Sequence, residues 1–219
     1  MKFQSISLLS NNLDAVYDFY HKKLELNIVN HTKKAIHFQA GATELIFEYT
    51  ANIQNPTYHF AFNIPKNQVN SAKKWLAERL DIIKDTKNNE VIPFPNWNAE
   101  ALYFMDSVGN IVEFIARHDL DNDATLPFSV ANILSISEIG LPVSDVLAFV
   151  KTIQNKLFIP DYKTGSEKFY TLGDEEGLFI VVPTERVWYM TNHLKSATFP
   201  VKIALKNEQL INFDYGLYS

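Results

Sequence analysis

The sequence contains no cysteine. Disulfides, zinc–thiolate sites, iron–sulfur clusters and cysteine nucleophiles are excluded at once, and any bound metal would have to be held by nitrogen and oxygen. Glycine is scarce, seven in 219 residues, and none of the seven builds a phosphate-cradling loop or a Gly-x-Ser-x-Gly elbow; a His-Glu-x-x-His pair is missing too. Nucleotide-dependent, serine-hydrolase and zincin chemistries are therefore disfavoured. Lys and Arg total 20 against 25 Asp and Glu, a net charge of −5, and the basic residues are scattered rather than gathered into a stripe, so nucleic acid is not an expected partner. No apolar run approaches the roughly 20 residues of a membrane span. The opening Met1-Lys2-Phe3-Gln4-Ser5-Ile6-Ser7 alternates instead of forming an apolar signal block. The expectation is a soluble, cytoplasmic protein that contacts no membrane.

What the chain does have is apolar mass, 47% hydrophobic and 13% aromatic residues, enough to fill one large or two small domains. Residues 3–9 alternate as a strand. Asn12 is placed to cap a following helix, whose Leu13, Val16, Tyr17, Tyr20 and Leu24 form one apolar stripe. Strand-like runs follow at Leu26–Val29, Ala35–Phe38 and Thr43–Phe47, with Gly41 in a turn. The unit reads β-α-β-β-β.

The order then restarts. Tyr58–Ile64 is a strand, Val69, Ala72, Leu76 and Leu80 share a helix face, and strands are expected near Ile82-Ile83, Ala101–Phe104 and Ile111–Ile115. A polar stretch from Asp119 to Thr125 reads as a linker over 119–131. Beyond it, Ile139, Leu141, Val146, Val150, Ile153 and Leu157 repeat Ile6, Leu8, Leu13, Tyr17, Tyr20 and Leu24 at one constant offset without a gap. A third copy follows from that. A fourth opens at Phe199–Leu205 with room for about two strands before Ser219.

His59-Phe60-Ala61-Phe62 and Asp106-Ser107-Val108-Gly109-Asn110-Ile111-Val112-Glu113-Phe114 resemble the opening strand and the closing motif of the vicinal oxygen chelate superfamily, which holds glyoxalases, bleomycin-resistance proteins and extradiol dioxygenases. The resemblance covers residues 1–118. It implies an α+β fold of tandem βαβββ modules whose sheets form a half-barrel cup, with residues 1–118 as two paired modules carrying the site and residues 132–219 as a degenerate third module plus a truncated fourth. It also implies metal ligands on the first and last strands of a module. His59 and Glu113 match two such positions, with Glu113 the catalytic candidate, while Ser5 stands where the usual first-module His would be. Glu44 and Glu48, of equal strand parity, are the candidates for the remaining carboxylate. Glu138 falls at the first-strand position of the third module and Val181 at its closing position, and no metal site is carried into that half.

The activity implied is that of a divalent-metal enzyme, using iron, manganese, nickel or zinc, that binds two adjacent oxygens of a small, aromatic or otherwise oxygenated substrate. The alternative, motivated by Ser5, is a metal-free small-molecule-binding or resistance protein of the same superfamily. A third reading is an interaction domain whose ligand positions are remnants. A carboxylate inside the apolar run Ile111–Ile115 is costly unless paired or ligating, so Glu113 either serves the cup or pairs with a cation such as Arg117. Ser5, His37, Trp97, Asn98 and Tyr103 are the candidate substrate contacts. Ile92–Asn98, with Phe94, Trp97 and four polar or proline residues, would form a rigid aromatic wall or else cover the sheet edge. Strand edges left by the truncation could pair in a homodimer.

Overall fold

The computed structural model describes residues 1–125, 127–163, 165–206 and 209–213; the final six residues of the expected fourth module lie outside that range. Strand β1 (Phe3–Ser10) buries Phe3, Ile6, Leu8 and Ser10. Asn12 then caps helix α1 (Leu13–Tyr17) by accepting from the Ala15 amide at 3.0 Å, as the sequence predicts. The helix continues as a π-helical stretch, Asp18–Lys23, and brings Val16, Tyr20 and Leu24 into the core. Strands β2 (Asn27–His31), β3 (Ala35–Ala40) and β4 (Thr43–Tyr49) complete the first module.

The second module is β5 (His59–Ile64), α2 (Val69–Ala77), β6 (Ile82–Ile83), β7 (Ile92–Phe94), β8 (Ala99–Met105) and β9 (Ile111–Arg117). Strand β7, expected as loop, pairs with β8. The third module is shorter, with β10 (Ser135–Val143), α3 (Val146–Leu157), β11 (Tyr170–Asp174) and β12 (Gly177–Pro183). The fourth is reduced to β13 (Val201–Leu205) and β14 (Leu210–Phe213).

These strands make two sheets, of order β14-β13-β1-β4-β3-β2 and β11-β12-β10-β5-β9-β8-β6. The pairing differs from the expectation for residues 1–118. Modules one and two do not share a sheet. Module two joins module three through antiparallel β5 and β10, and module one joins the fourth through β1 and β13. The physical reason is that each module offers its first strand as a free edge, and β5 finds its antiparallel partner beyond the linker, in β10, rather than before it in the chain. One apolar core joins residues of both sheets with those of α1, α2 and α3.

The sheets meet at the β3–β4 turn, where the Ala42 amide donates to the Leu134 carbonyl at 2.8 Å. Gly41 makes that turn at φ +57°, and a Cβ there would collide with the Leu134 backbone. Strain and overlap together predict that Gly41→Ala costs about 2–4 kcal/mol, read as a lowered urea midpoint with an unchanged slope.

Candidate functional site

On the larger sheet the order β10-β5-β9 sets three strands side by side. Phe60, Phe62, Val112 and Phe114 point into the main core. Strict alternation then sends His59, Ala61, Glu113 and Ile115 to the opposite face. Both faces are covered, since every residue of β5 and of β9 is buried. Strand β10 does not keep the period. Ile136 and Ile139 both enter the main core, which requires the register shift observed between Ile136 and Glu138. A bulge of this kind re-aims a side chain, and here it turns Glu138 onto the face of His59 and Glu113. Across the sheet Ala61 lies opposite both Glu138 and Glu113, and its single methyl leaves the space in which the two carboxylates meet.

His59, Glu113 and Glu138 bring one ligand atom each to within 4.8 Å of one another. His59 Nε2 is 3.8 Å from Glu113 Oε2, while its Nδ1 is 3.2 Å from the Ile111 carbonyl. That carbonyl can only accept, so Nδ1 carries the proton and Nε2 is left with a free lone pair toward the carboxylates, the tautomer that a metal ligand needs. Burial lowers the His59 pKa to about 4, so the ring is neutral near pH 7. Burial, and then the charge of Glu138, hold Glu113 well above the usual carboxylate range, against the Tyr103 hydrogen bond and Arg117. Burial likewise raises Glu138, opposed by Arg117.

Arg117 has no exposed surface and pairs with Glu138; its Nε donates to Asn63 Oδ1 at 3.3 Å, its Nη1 has no hydrogen-bond partner among the described residues, and the guanidinium stands 5.7 Å from the Trp97 ring centroid. Two buried carboxylates thus face one guanidinium. The donor set of one neutral imidazole and two carboxylates fits a divalent cation, which on binding would displace the proton that burial favours on Glu113.

Above this floor lies a cavity of about 310 Å³. Aromatic side chains dominate its wall: Phe94, Trp97 and Tyr103 from module two, and Phe169, Trp188 and Tyr189 from the third module and the segment after β12. Trp188 reaches the floor because Gly140 has no side chain there; a Cβ would stand 2.6 Å from the indole and 3.3 Å from the His59 Cβ. Ile180 also lines the cavity. Its place in the register, opposite Gly140 as Glu113 is opposite Ala61, makes Ile180 the third-module counterpart of Glu113. Val181, read from the sequence as that counterpart, is in the main core instead.

The sequence candidates divide between the two sheets. His59, Glu113, Trp97 and Tyr103 come together at the cavity. Glu44 and Glu48 do not join them. Glu44 binds His37 Nδ1 at 2.6 Å, Glu48 binds Lys202 at 2.8 Å, and Ser5 lies opposite Glu44 in the register of β1 and β4. The four candidates Ser5, His37, Glu44 and Glu48 belong to the smaller sheet, which pairs with the fourth module. In that register Ile46 holds the place that Glu113 holds in module two, so the smaller sheet has no ligand set, and His59, Glu113 and Glu138 are the one such group found among the described residues. Asn98 is exposed, adopts a left-handed backbone at φ 45°, and donates to Asp119 at 2.6 Å, away from the cavity. Sequence reasoning placed Glu138 at a ligand position without using it, and missed Arg186, Trp188 and Tyr189. The run Arg186-Val187-Trp188-Tyr189 was the available signal.

No protein-family model matches the sequence, and no curated protein matches it. Solved structures do resemble it in fold. A Bacillus subtilis protein named as a candidate dioxygenase superposes with a TM-score of 0.61 at 14% identity over 83% of this chain. Glyoxalase I of Zea mays superposes with a TM-score of 0.54, also at 14% identity over 83% of this chain. The chain spans 63% of the former and 66% of the latter. The fold is therefore the α+β half-barrel cup of these glyoxalase and dioxygenase structures, as the sequence resemblance implied. Among the described residues no helix is long and apolar enough to cross a membrane.

Proposed function

We propose that this chain is a divalent-metal-dependent enzyme of the glyoxalase or extradiol-dioxygenase type, acting on a small oxygenated aromatic substrate, with His59, Glu113 and Glu138 as the metal ligands. The observation that carries the reading is the convergence of those three side chains within 4.8 Å on the floor of an aromatic cavity. A bound ion would supply Lewis acidity toward two adjacent substrate oxygens. The chain's own groups do the rest. The Ile111 carbonyl fixes the His59 tautomer, and Tyr103, directly opposite Glu113 in the register of β8 and β9, packs beside that carboxyl. The aromatic walls exclude water and accept a flat ring. Two carboxylates and one imidazole are an oxygen-rich set of the kind manganese and iron take, while nickel and zinc, which in general bind nitrogen and oxygen sites more tightly, compete for it.

A metal-free ligand-binding role is favoured by a different observation, the Arg117 guanidinium already seated on Glu138 with Ile180 in the place of a fourth ligand. Elemental mass spectrometry of protein purified without chelators or a His-tag separates the two. Close to one equivalent of manganese or iron per chain is the expected result. No retained metal after dialysis against each of iron, manganese, nickel and zinc would reject the enzyme reading in favour of the binding one.

A further inference from the structure

We infer that the ligand of this cavity is an aromatic acid, its ring held between the aromatic walls and its carboxylate held by Arg186; the inference rests on the proposed use of the same cavity for substrate. Arg186 lines the cavity and is half-buried. Among the described residues its guanidinium has neither an ion pair nor a hydrogen bond. The acidic groups around it lie against other residues: neighbouring Glu185 pairs with Lys195 at 2.8 Å, Glu138 with Arg117, and Glu113 stands 3.8 Å from His59 Nε2. The Arg186 guanidinium lies over the Phe169 ring, 5.5 Å from its centroid. A cation partly withdrawn from water with no counter-charge is costly unless an anion arrives.

The geometry also says which anion and how it lies. Arginine presents a planar fork of donors that matches a carboxylate in two parallel hydrogen bonds. Of the residues that line the cavity Arg186 is the one Lys or Arg, so the carboxylate is turned toward it and the uncharged end of the ring toward His59. Arg186, Trp188 and Tyr189 sit on one segment between β12 and β13, so the anion contact and two of the ring contacts arrive together. At about 310 Å³ the cavity is at the small end of the roughly 300–1,000 Å³ typical of ligand pockets, which limits the ligand to one ring with a short substituent.

Isothermal titration with para-hydroxybenzoate and its neutral isostere para-hydroxybenzamide tests this, with metal content measured on the same samples. Wild-type protein is expected to bind the acid about tenfold more tightly than the amide, or about 1.4 kcal/mol. Arg186→Gln should keep the amide affinity, the metal content and the melting temperature while losing the preference for the acid, and Arg186→Lys should retain part of it. Absence of acid binding, equal affinity for the two probes in the wild type, or a preference that survives in Arg186→Gln would overturn the assignment. Failure of the metal reading shows separately, as metal content that does not respond to Glu113→Gln.

Discussion

Protein carrying Glu113→Gln or His59→Ala is expected to lose affinity for manganese or iron by more than about 100-fold, since even residues that only orient a metal ligand typically contribute 10–100-fold. The measurement is metal content after dialysis, with affinity from competition against a chromogenic chelator. Two controls make the result specific. Glu44→Gln and Glu48→Gln should leave uptake unchanged, because those carboxylates lie on the other sheet and are engaged by His37 and Lys202. Glu113→Gln should also stay folded. Glu113 is held above the normal carboxylate range by burial and by Glu138, so the fold disfavours its charge, and a neutral amide of the same shape relieves that cost. Metal lost together with the fold, or uptake unaffected in Glu113→Gln, would remove Glu113 from the site.

The module pattern was legible in the sequence because each module encodes itself locally. Asn12 and its stripe of apolar residues specify a helix start and a buried face, and the alternation in Ile111–Ile115 specifies which residues of β9 share a face. The pairing of modules was not legible. It depends on which free strand edge β5 meets after folding, and the hydrogen bonds of a sheet edge are made by backbone, which carries no sequence mark. The mistaken pairing then moved Glu44 and Glu48 into the wrong site.

Glu138 was placed at a first-strand ligand position but set aside, because its own module has no closing carboxylate; what brings it to His59 and Glu113 is the bulge at Ser137. A trace of it was present: the apolar residues Ile136 and Ile139 are three apart in β10, as Phe3 and Ile6 are in β1, and both strands carry a register shift at that place. Two core residues at odd spacing in one strand require an inserted residue. The same bulge in the first module delivers Ser5, which has no charge to contribute, so an identical backbone device sets a carboxylate beside His59 in one sheet and a neutral hydroxyl in the other.

The last expectation concerns Arg117, whose role decides between the two functional readings. Arg117→Met should destabilise the protein by about 3–5 kcal/mol, because it leaves the Glu138 carboxylate buried without its partner. In a chain of 219 residues that corresponds to a fall in melting temperature of about 6–20 °C. If Glu138 is a metal ligand, the variant offers an ion a carboxylate freed from competition, so saturating manganese should recover most of the loss; at 100 times the dissociation constant, binding alone contributes about 2.7 kcal/mol. Arg117→Met with Glu138→Gln should regain much of the stability but none of the response to metal, and the cycle formed by the four proteins measures how far the pair is coupled. A destabilised Arg117→Met protein that manganese does not rescue would mean that Glu138 exists to hold Arg117. The aromatic cavity would then be a binding site resting on an internal ion pair, and the chemistry proposed for it would have to be given up.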